Sequence, residues 1–158
     1  MTDKYRPLKD AFGRFATGIA VAACRTAEGN INAITINSFA SVSLEPALLL
    51  WCLENRASTY SAFMAADAYS VNVLRADQQD VSDYYAGFLK DPIGEEKFQS
   101  WVTGAPVMKD RLAAFDCKIF NRHDAGDHVI LVGEVVRFES GEGEPLVYYA
   151  SQYYQGTK

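Results

Sequence analysis

Short β-rich segments that come in neighbouring pairs are the feature that most constrains the fold of this chain. Residues 19–25 and 31–36 flank a turn that contains Gly29, and residues 115–120 and 128–138 flank a turn that contains Gly126. Two strands around a short Gly-containing turn predict a β-hairpin. Since the strands do not alternate with long helices, the pattern favours an antiparallel barrel over a doubly wound parallel sheet.

The remaining periodic segments complete a mainly β fold with short helices. Apolar spacing predicts further strands at residues 47–53, 69–74 and 146–150 and short helices at residues 8–18, 58–66 and 81–88. The apolar strand 47–53 is expected to be buried on both faces. Residues 37–43 and 90–109 are expected to be loops. We expect about seven strands, three helices and a single domain over residues 1–158.

Charge and motif content exclude several classes of function. Twenty acidic residues stand against fifteen basic ones, a net charge of −5, whereas nucleic-acid binding needs clustered Lys and Arg. The longest apolar run is far shorter than the roughly 20 residues that cross a bilayer, so we expect no membrane association. Three cysteines without a CxxC pair predict buried thiols in a cytoplasmic protein. Neither a Rossmann GxGxxG motif nor a P-loop is present, so a nucleotide cofactor must bind in another way.

The polar segment at residues 35–43 is the strongest candidate for ligand binding. Within nine residues between two strands it carries five hydroxyl or amide side chains, those of Thr35, Asn37, Ser38, Ser41 and Ser43. Such a segment offers hydrogen-bond donors to a polar, flat or anionic ligand. The same composition is typical of a Ser/Thr-rich turn, and the residue types alone leave both interpretations open.

Two shorter segments are further candidates. The segment from Asn55 to Tyr60 lies at a strand end and a helix start, where free N–H groups and the donors Arg56, Ser58 and Thr59 have the chemistry of a phosphate site. An ordinary helix N-cap with an exposed Arg56 is equally open. His128 follows Asp127 at a hairpin tip. We favour a histidine that faces a cleft over a metal ligand, and the alternative that His128 is an ordinary strand residue stays open.

The sequence also predicts core residues. They are Trp51, Cys52, Tyr84, Tyr85 and Phe88.

Several short motifs follow one another in a specific order along the chain. They include FATGIAV at residues 15–21, TINSFASVS at 35–43, LLLWCL at 48–53, YSVNVL at 69–74, GDH at 126–128 and PLVYY at 145–149. Each motif is weak alone, but the ordered set resembles the short-chain flavin reductase family over residues 8–153. These proteins are the reductase components of two-component flavin monooxygenases.

The resemblance implies an FMN-binding split β-barrel of antiparallel, Greek-key-like topology, usually a homodimer with flavin sites near the subunit interface. It implies hydride transfer from NADH or NADPH to FMN, or to FAD, for the use of a partner oxygenase. It also implies flavin contacts at Thr35, Asn37, Ser38, Ser41, Val42, Ser43 and Cys52 and phosphate contacts at Asn55, Arg56, Ser58 and Thr59. His128 would be the catalytic residue that faces the nicotinamide, with Tyr153 near the same cleft.

Two other hypotheses stay beside the flavin reductase. One is a non-catalytic flavin-binding or electron-carrier protein on the same barrel, and the other is a structural or interaction protein. His128 after Gly126-Asp127 favours the reductase. The chain departs from the family pattern at Ala150-Ser151-Gln152, where relatives often carry a basic residue or glycine. This departure leaves NADH against NADPH open, and residues 88–104 are the expected place for adenine or dimer contacts.

Overall fold

The computed structural model describes residues 2–88 and 94–154. The described α-helices are α1 (Arg6–Phe12), α2 (Tyr60–Ala65) and α3 (Gln79–Tyr85), and single 3-10 turns occur at Ala76–Gln78 and Glu95–Lys97. The described strands are β1 (Thr17–Gly18), β2 (Ala20–Arg25), β3 (Ile31–Ile36), β4 (Ala40–Leu44), β5 (Ala47–Glu54), β6 (Ala68–Val73), β7 (Phe98–Ser100), β8 (Pro106–Met108), β9 (Ala113–Ala125), β10 (His128–Ser140), β11 (Val147–Tyr149) and β12 (Gln152–Tyr154). None of the helices in these two ranges is long and apolar enough to cross a membrane.

Seven strands form one antiparallel sheet, in the order β3-β2-β6-β9-β10-β5-β4. β3 and β4 stand at opposite ends of this order, yet only residues 37–39 join them. The four Cα–Cα steps from Ile36 to Ala40 reach about 15 Å at most. Six interstrand spacings would separate the edges of a flat sheet by about 29 Å. The sheet must therefore curl into an open barrel, and we call residues 37–39 its seam.

The barrel interior holds the main apolar core. Trp51 of β5 lies edge-on to Phe63 of α2 and Tyr69 of β6, with ring centroids 4.9 and 5.7 Å apart, and all three side chains are fully buried. A second cluster contains Ile19, Val21, Leu74, Phe98, Met108 and Leu146. Successive residues of β2 alternate between the two clusters, so this strand is buried on both faces.

The smaller sheets attach the chain ends to the barrel. β1 pairs with β11, and β11 pairs with β12, which makes a three-stranded sheet from both ends of the described chain. β7 and β8 form a separate pair. The β11–β12 turn holds Ala150 at φ 50° and Ser151 at φ 63°, which is left-handed backbone at two successive non-glycine residues. The amide of Ala150 donates to the carbonyl of Gly13 at 2.9 Å, which ties this turn to the end of α1.

The mainly β, antiparallel architecture and both predicted hairpins are confirmed. β2 pairs with β3, and β9 pairs with β10 around Gly126, which has φ 67°. Trp51 is confirmed as a core residue.

Three predictions about segments and one about the number of strands are wrong. Residues 40–44 form the edge strand β4 rather than a loop, because an edge strand needs a partner on one side only and tolerates small polar residues. The predicted loop at 90–109 contains β7 and β8, while residues 89–93 lie outside the described ranges. α1 ends at Phe12, well before Gly18. The described strands number twelve rather than about seven, because strands of two or three residues carry no detectable periodicity.

Several burial predictions are also wrong. β5 alternates between buried and half-buried residues instead of burying both faces. Phe88 is 77% exposed, because α3 ends at Tyr85, and Tyr84 is half-buried. Tyr85 is also half-buried but packs against the second cluster, so its predicted core contact is confirmed. Cys52 is half-buried, whereas the other two cysteines are buried.

Candidate functional site

The seam is fixed to the barrel by side chains from its own residues. The hydroxyl of Ser38 accepts a hydrogen bond from the Cys52 amide at 2.9 Å and donates to the Cys52 carbonyl at 3.3 Å. The ring of Phe39 stacks on Phe115 with centroids 5.6 Å apart. Asn37, the first residue of the seam, is exposed. The seam therefore presents the Asn37 amide to solvent, while the Ser38 hydroxyl is used within the protein.

The edge strand β4 continues from the seam with exposed small residues. Ser41 pairs with Leu49 and Ser43 pairs with Leu48, and a β-bulge leaves Val42 between these pairs. Because β4 ends the sheet order, its outward N–H groups have no further strand of this sheet beside them. Two hydroxyls and a row of backbone donors therefore lie next to the seam.

The end of β5 meets the tip of the β9–β10 hairpin. The Asn55 amide N–H donates to the Asp127 carbonyl at 2.9 Å, and Asn55 Nδ2 donates to the Gly126 carbonyl at 3.4 Å. His128 pairs across the strands with Glu54. The sequence-predicted residues Asn55 and His128, which are far apart in the chain, thus lie at the same end of the barrel.

His128 is oriented by its neighbour in sequence. Nδ1 of His128 lies 2.6 Å from Oδ1 of Asp127. This hydrogen bond is the main reason why the pKa of Asp127 lies below its ordinary value, and the charges of His128 and Arg56 lower it further. The Asp127 carboxylate therefore stays charged and holds one ring nitrogen of His128, which directs Nε2 away from the pair.

The start of α2 differs from the predicted cap. The N-cap position is Thr59 rather than Ser58, and it makes no side-chain cap hydrogen bond. Thr59 is buried and its Oγ1 has no hydrogen-bond partner among the described residues, whereas Ser58 and Arg56 are exposed. The donors that face solvent at this end of the barrel therefore include Arg56, Ser58 and the second N–H of the Asn55 side-chain amide.

A cavity of about 250 Å³ lies between β3, α3 and the β11–β12 hairpin, which we call the C-terminal hairpin. Its lining includes Thr35, Asn37, Ser82, Tyr148 and Tyr153. The Thr35 hydroxyl donates to the carbonyl of Ser82 at 2.7 Å, so Thr35 has lone pairs rather than a proton left for a ligand. Asn37 also lines the neighbouring cavity of about 240 Å³ beside residues 15–20, and so joins the two cavities.

Two residues that sequence reasoning missed contact Tyr153. The Tyr153 hydroxyl lies 2.7 Å from the hydroxyl of Ser82 and donates to Oδ1 of Asp83 at 2.8 Å. Burial raises the pKa of Tyr153, so this hydroxyl keeps its proton and acts as the donor to Asp83. The helical spacing of Val81, Tyr84 and Tyr85 indicates only the apolar face of α3. No local sequence signal indicates that polar residues of α3 contact β12.

The chain is similar to known proteins over almost its whole length. Residues 12–157 match the family model described as flavin reductase like domain. The chain is 41% identical over 145 residues to the FMN reductase (NADH) SmoA of Agrobacterium fabrum, which covers 90% of this chain and 81% of that protein. A solved structure of the flavin reductase PheA2 superposes with a TM-score of 0.91 at 34% identity and covers 99% of this chain and 100% of that one.

Other relatives are longer than this chain. It is 38% identical over 156 residues to the reductase component of the flavin-dependent trigonelline monooxygenase of Acinetobacter baylyi, which covers 99% of this chain and 50% of that protein. The chain likewise spans 48% of a probable flavin reductase from Rhizobium meliloti. It therefore spans about half the length of these two curated relatives.

Proposed function

Because this chain belongs to the family of flavin reductase like domains, we propose that it is an NAD(P)H:flavin oxidoreductase. It takes hydride from NADH or NADPH and reduces FMN, with FAD as the alternative flavin. The similarity to a protein named FMN reductase (NADH) supports FMN and NADH as the first pair to test. The observation that carries the proposal is the set of exposed donors at the seam, on β4 and at the end of β5, with an oriented histidine at that same end of the barrel.

The donor set fits a flavin mononucleotide. The polar edge of the flavin ring needs hydrogen-bond donors, and the exposed side chains of Asn37 and Ser41 and the outward N–H groups of β4 supply them. The phosphate needs donors and a cation, which Asn55, Arg56 and Ser58 supply. The other predicted contact residues shape this surface and hold its donors in position. They are Thr35, Ser38, Val42, Ser43, Cys52 and Thr59.

His128 and Tyr153 are proposed to serve the nicotinamide nucleotide. When bound, a flavin would supply N5 as the acceptor of hydride from nicotinamide C4, so no protein nucleophile would be required. The task of the protein is to hold the two rings in contact and to exclude water. Asp127 fixes one nitrogen of His128, which leaves the other to hydrogen-bond the nicotinamide amide. Tyr153 lines the cavity next to Thr35 and Asn37, where a second ligand would approach the flavin.

We also propose that the protein is a homodimer that supplies reduced flavin to a partner oxygenase. The similarity to a monooxygenase reductase component supports the oxygenase. Exposed apolar side chains of α1 and β4, including Leu8, Phe12 and Leu44 at 52%, 70% and 96%, support a second subunit. A cytoplasmic location is part of the proposal, because all three cysteines are free. The names of the relatives favour a reductase over a non-catalytic flavin carrier.

The decisive experiment mixes the purified protein with NADH or NADPH and with FMN, FAD or riboflavin, and follows the absorbance of the reduced nicotinamide. We expect oxidation that requires both the protein and a flavin. Absence of oxidation with every pair would refute the proposal. Gel filtration of the protein with FMN separates a retained flavin from one that diffuses between proteins.

His128→Ala tests the role of the histidine. Loss of one hydrogen bond to the nicotinamide amide is expected to raise KM for NADH by about 3- to 10-fold, with little change in FMN affinity. His123→Ala is the matched control, because His123 is an exposed histidine on β9 of the same hairpin. An equal loss of FMN affinity in His128→Ala would contradict the assignment.

A further inference from the structure

The α3 residues that contact Tyr153 have no assigned role. We infer that Ser82 and Asp83 are positioning residues that hold the Tyr153 hydroxyl at the cavity, and that affinity for the nicotinamide nucleotide depends on them. The inference rests on the proposed function, since it assigns the Tyr153 cavity to that nucleotide.

The hydroxyl of Tyr153 is held from two directions. Ser82 Oγ lies at 2.7 Å and Asp83 Oδ1 at 2.8 Å, and both distances are those of strong hydrogen bonds. Because Tyr153 donates to the Asp83 carboxylate, its oxygen accepts from Ser82, and every proton in the set has one place to go. Ser82 is fully buried, so its hydroxyl cannot exchange Tyr153 for water. The ring is therefore fixed in one orientation.

The same α3 residue also holds the opposite wall of the cavity. The carbonyl of Ser82 accepts the Thr35 hydroxyl of β3, while its side chain binds Tyr153 of β12. Ser82 thus sets the spacing between β3, which lies on the proposed flavin side of the cavity, and the C-terminal hairpin. Replacing the Ser82 side chain with that of Ala breaks only the contact with Tyr153, because the Thr35 contact uses the backbone.

The hairpin that carries Tyr153 needs such a restraint. Its turn places Ala150 and Ser151 in left-handed backbone, which non-glycine residues adopt at a cost in free energy. Such a turn persists when neighbouring contacts hold it. One contact is the bond from the Ala150 amide to Gly13 on one side of the hairpin, and the tyrosine contacts with α3 hold the other.

Four variants and one control test the inference. Tyr153→Phe removes both contacts, and Ser82→Ala removes one. Asp83→Ala removes the acceptor oxygen, whereas Asp83→Asn removes the charge and keeps an acceptor oxygen. We expect Tyr153→Phe, Ser82→Ala and Asp83→Ala to raise KM for NADH by about 3- to 10-fold, with kcat at saturating NADH and KM for FMN within about twofold of wild type. Asp83→Asn should recover most of the loss, because its amide oxygen still accepts. Tyr154→Phe, in the exposed neighbour on β12, should match wild type.

Calorimetric titration of flavin-free protein with NAD⁺ gives a readout that needs no turnover. The three disruptive variants should weaken NAD⁺ binding by the same factor as they raise KM. Wild-type activity with unchanged KM and NAD⁺ affinity in Tyr153→Phe and Asp83→Ala would overturn the inference while leaving the proposed function in place. A wild-type protein that neither oxidises NADH nor binds NAD⁺ would overturn both. Asp83 is partly exposed, so its variants report even if Ser82→Ala folds poorly.

Discussion

Gly133, in the long β9–β10 hairpin, is a position where an added methyl group is expected to destabilise the fold. A Cβ at Gly133 would overlap the hydroxyl of Tyr69 and lie 2.8 Å from its Cζ and 2.9 Å from Cβ of Cys117. Tyr69 and Cys117 are fully buried, so neither can move into open space. The Tyr69 hydroxyl also donates to the carbonyl of Leu131 at 3.2 Å, and a displaced ring would lose that bond.

Overpacking of a core costs about 1–3 kcal/mol, and the lost hydrogen bond adds about 1 kcal/mol. We therefore expect Gly133→Ala to lower the free energy of unfolding by about 3 kcal/mol, or Tm by about 6–12 °C for a chain of this size. Urea unfolding followed by circular dichroism measures the change.

Gly18→Ala is the matched control, because a Cβ there meets nothing within 4 Å. Tyr69→Phe combined with Gly133→Ala should recover part of the loss, since the worst overlap is with the hydroxyl. A Gly133→Ala protein within about 0.5 kcal/mol of wild type would refute the packing argument, because substitutions of that size are typical of unconstrained surface sites.

Three further predictions concern a buried thiol, a buried carboxylate and the candidate phosphate site. Burial raises the pKa of Cys24 from its ordinary 9.0 to about 12, so its contribution to stability is present below pH 9 and is lost as pH rises towards 12. Between pH 9 and pH 10, the free energy of unfolding measured in urea should therefore fall by up to about 1 kcal/mol less for Cys24→Ala than for wild type. An equal decrease in the two proteins would contradict this. Asp116 is fully buried and accepts from both the amide and the hydroxyl of Thr103; Asp116→Ala should reduce the free energy of unfolding by about 2–3 kcal/mol and Asp116→Asn by less, and an order reversed would refute the acceptor role. Asn55→Ala should weaken FMN binding by about 3- to 10-fold in a flavin fluorescence titration, whereas the exposed Asn121→Ala should not.

The hairpins of the fold follow from the sequence because their causes are local. The β2–β3 and β9–β10 pairs each combine strand-forming runs with a nearby glycine that adopts positive φ. β4 carries the same kind of residue as a turn, and its strand conformation comes from pairing with β5. Composition within β4 could not show this, because the partner decides the conformation.

The candidate site was predictable in residue type but not in the use of each group. Asn55 and His128 were found from their positions at a strand end and a hairpin tip, and the structure places them at the same end of the barrel. The hydroxyls of Thr35 and Ser38 have the expected chemistry but are engaged within the protein. Ser82 is a short polar residue in a helix, and its partner Tyr153 lies in the last described strand, so only the fold brings the two together.

The seam has a consequence for the exchange of amide hydrogens with solvent. Each inner strand of the seven-stranded sheet has neighbours on both sides, whereas β3 and β4 have one neighbour each in that sheet. Their outward N–H groups should exchange at low opening free energies, unlike those of the central β9 and β10. A ligand bound across the seam would slow exchange in β3 and β4 first. Deuterium uptake of the protein with and without FMN would thus locate the bound flavin with no reductant present.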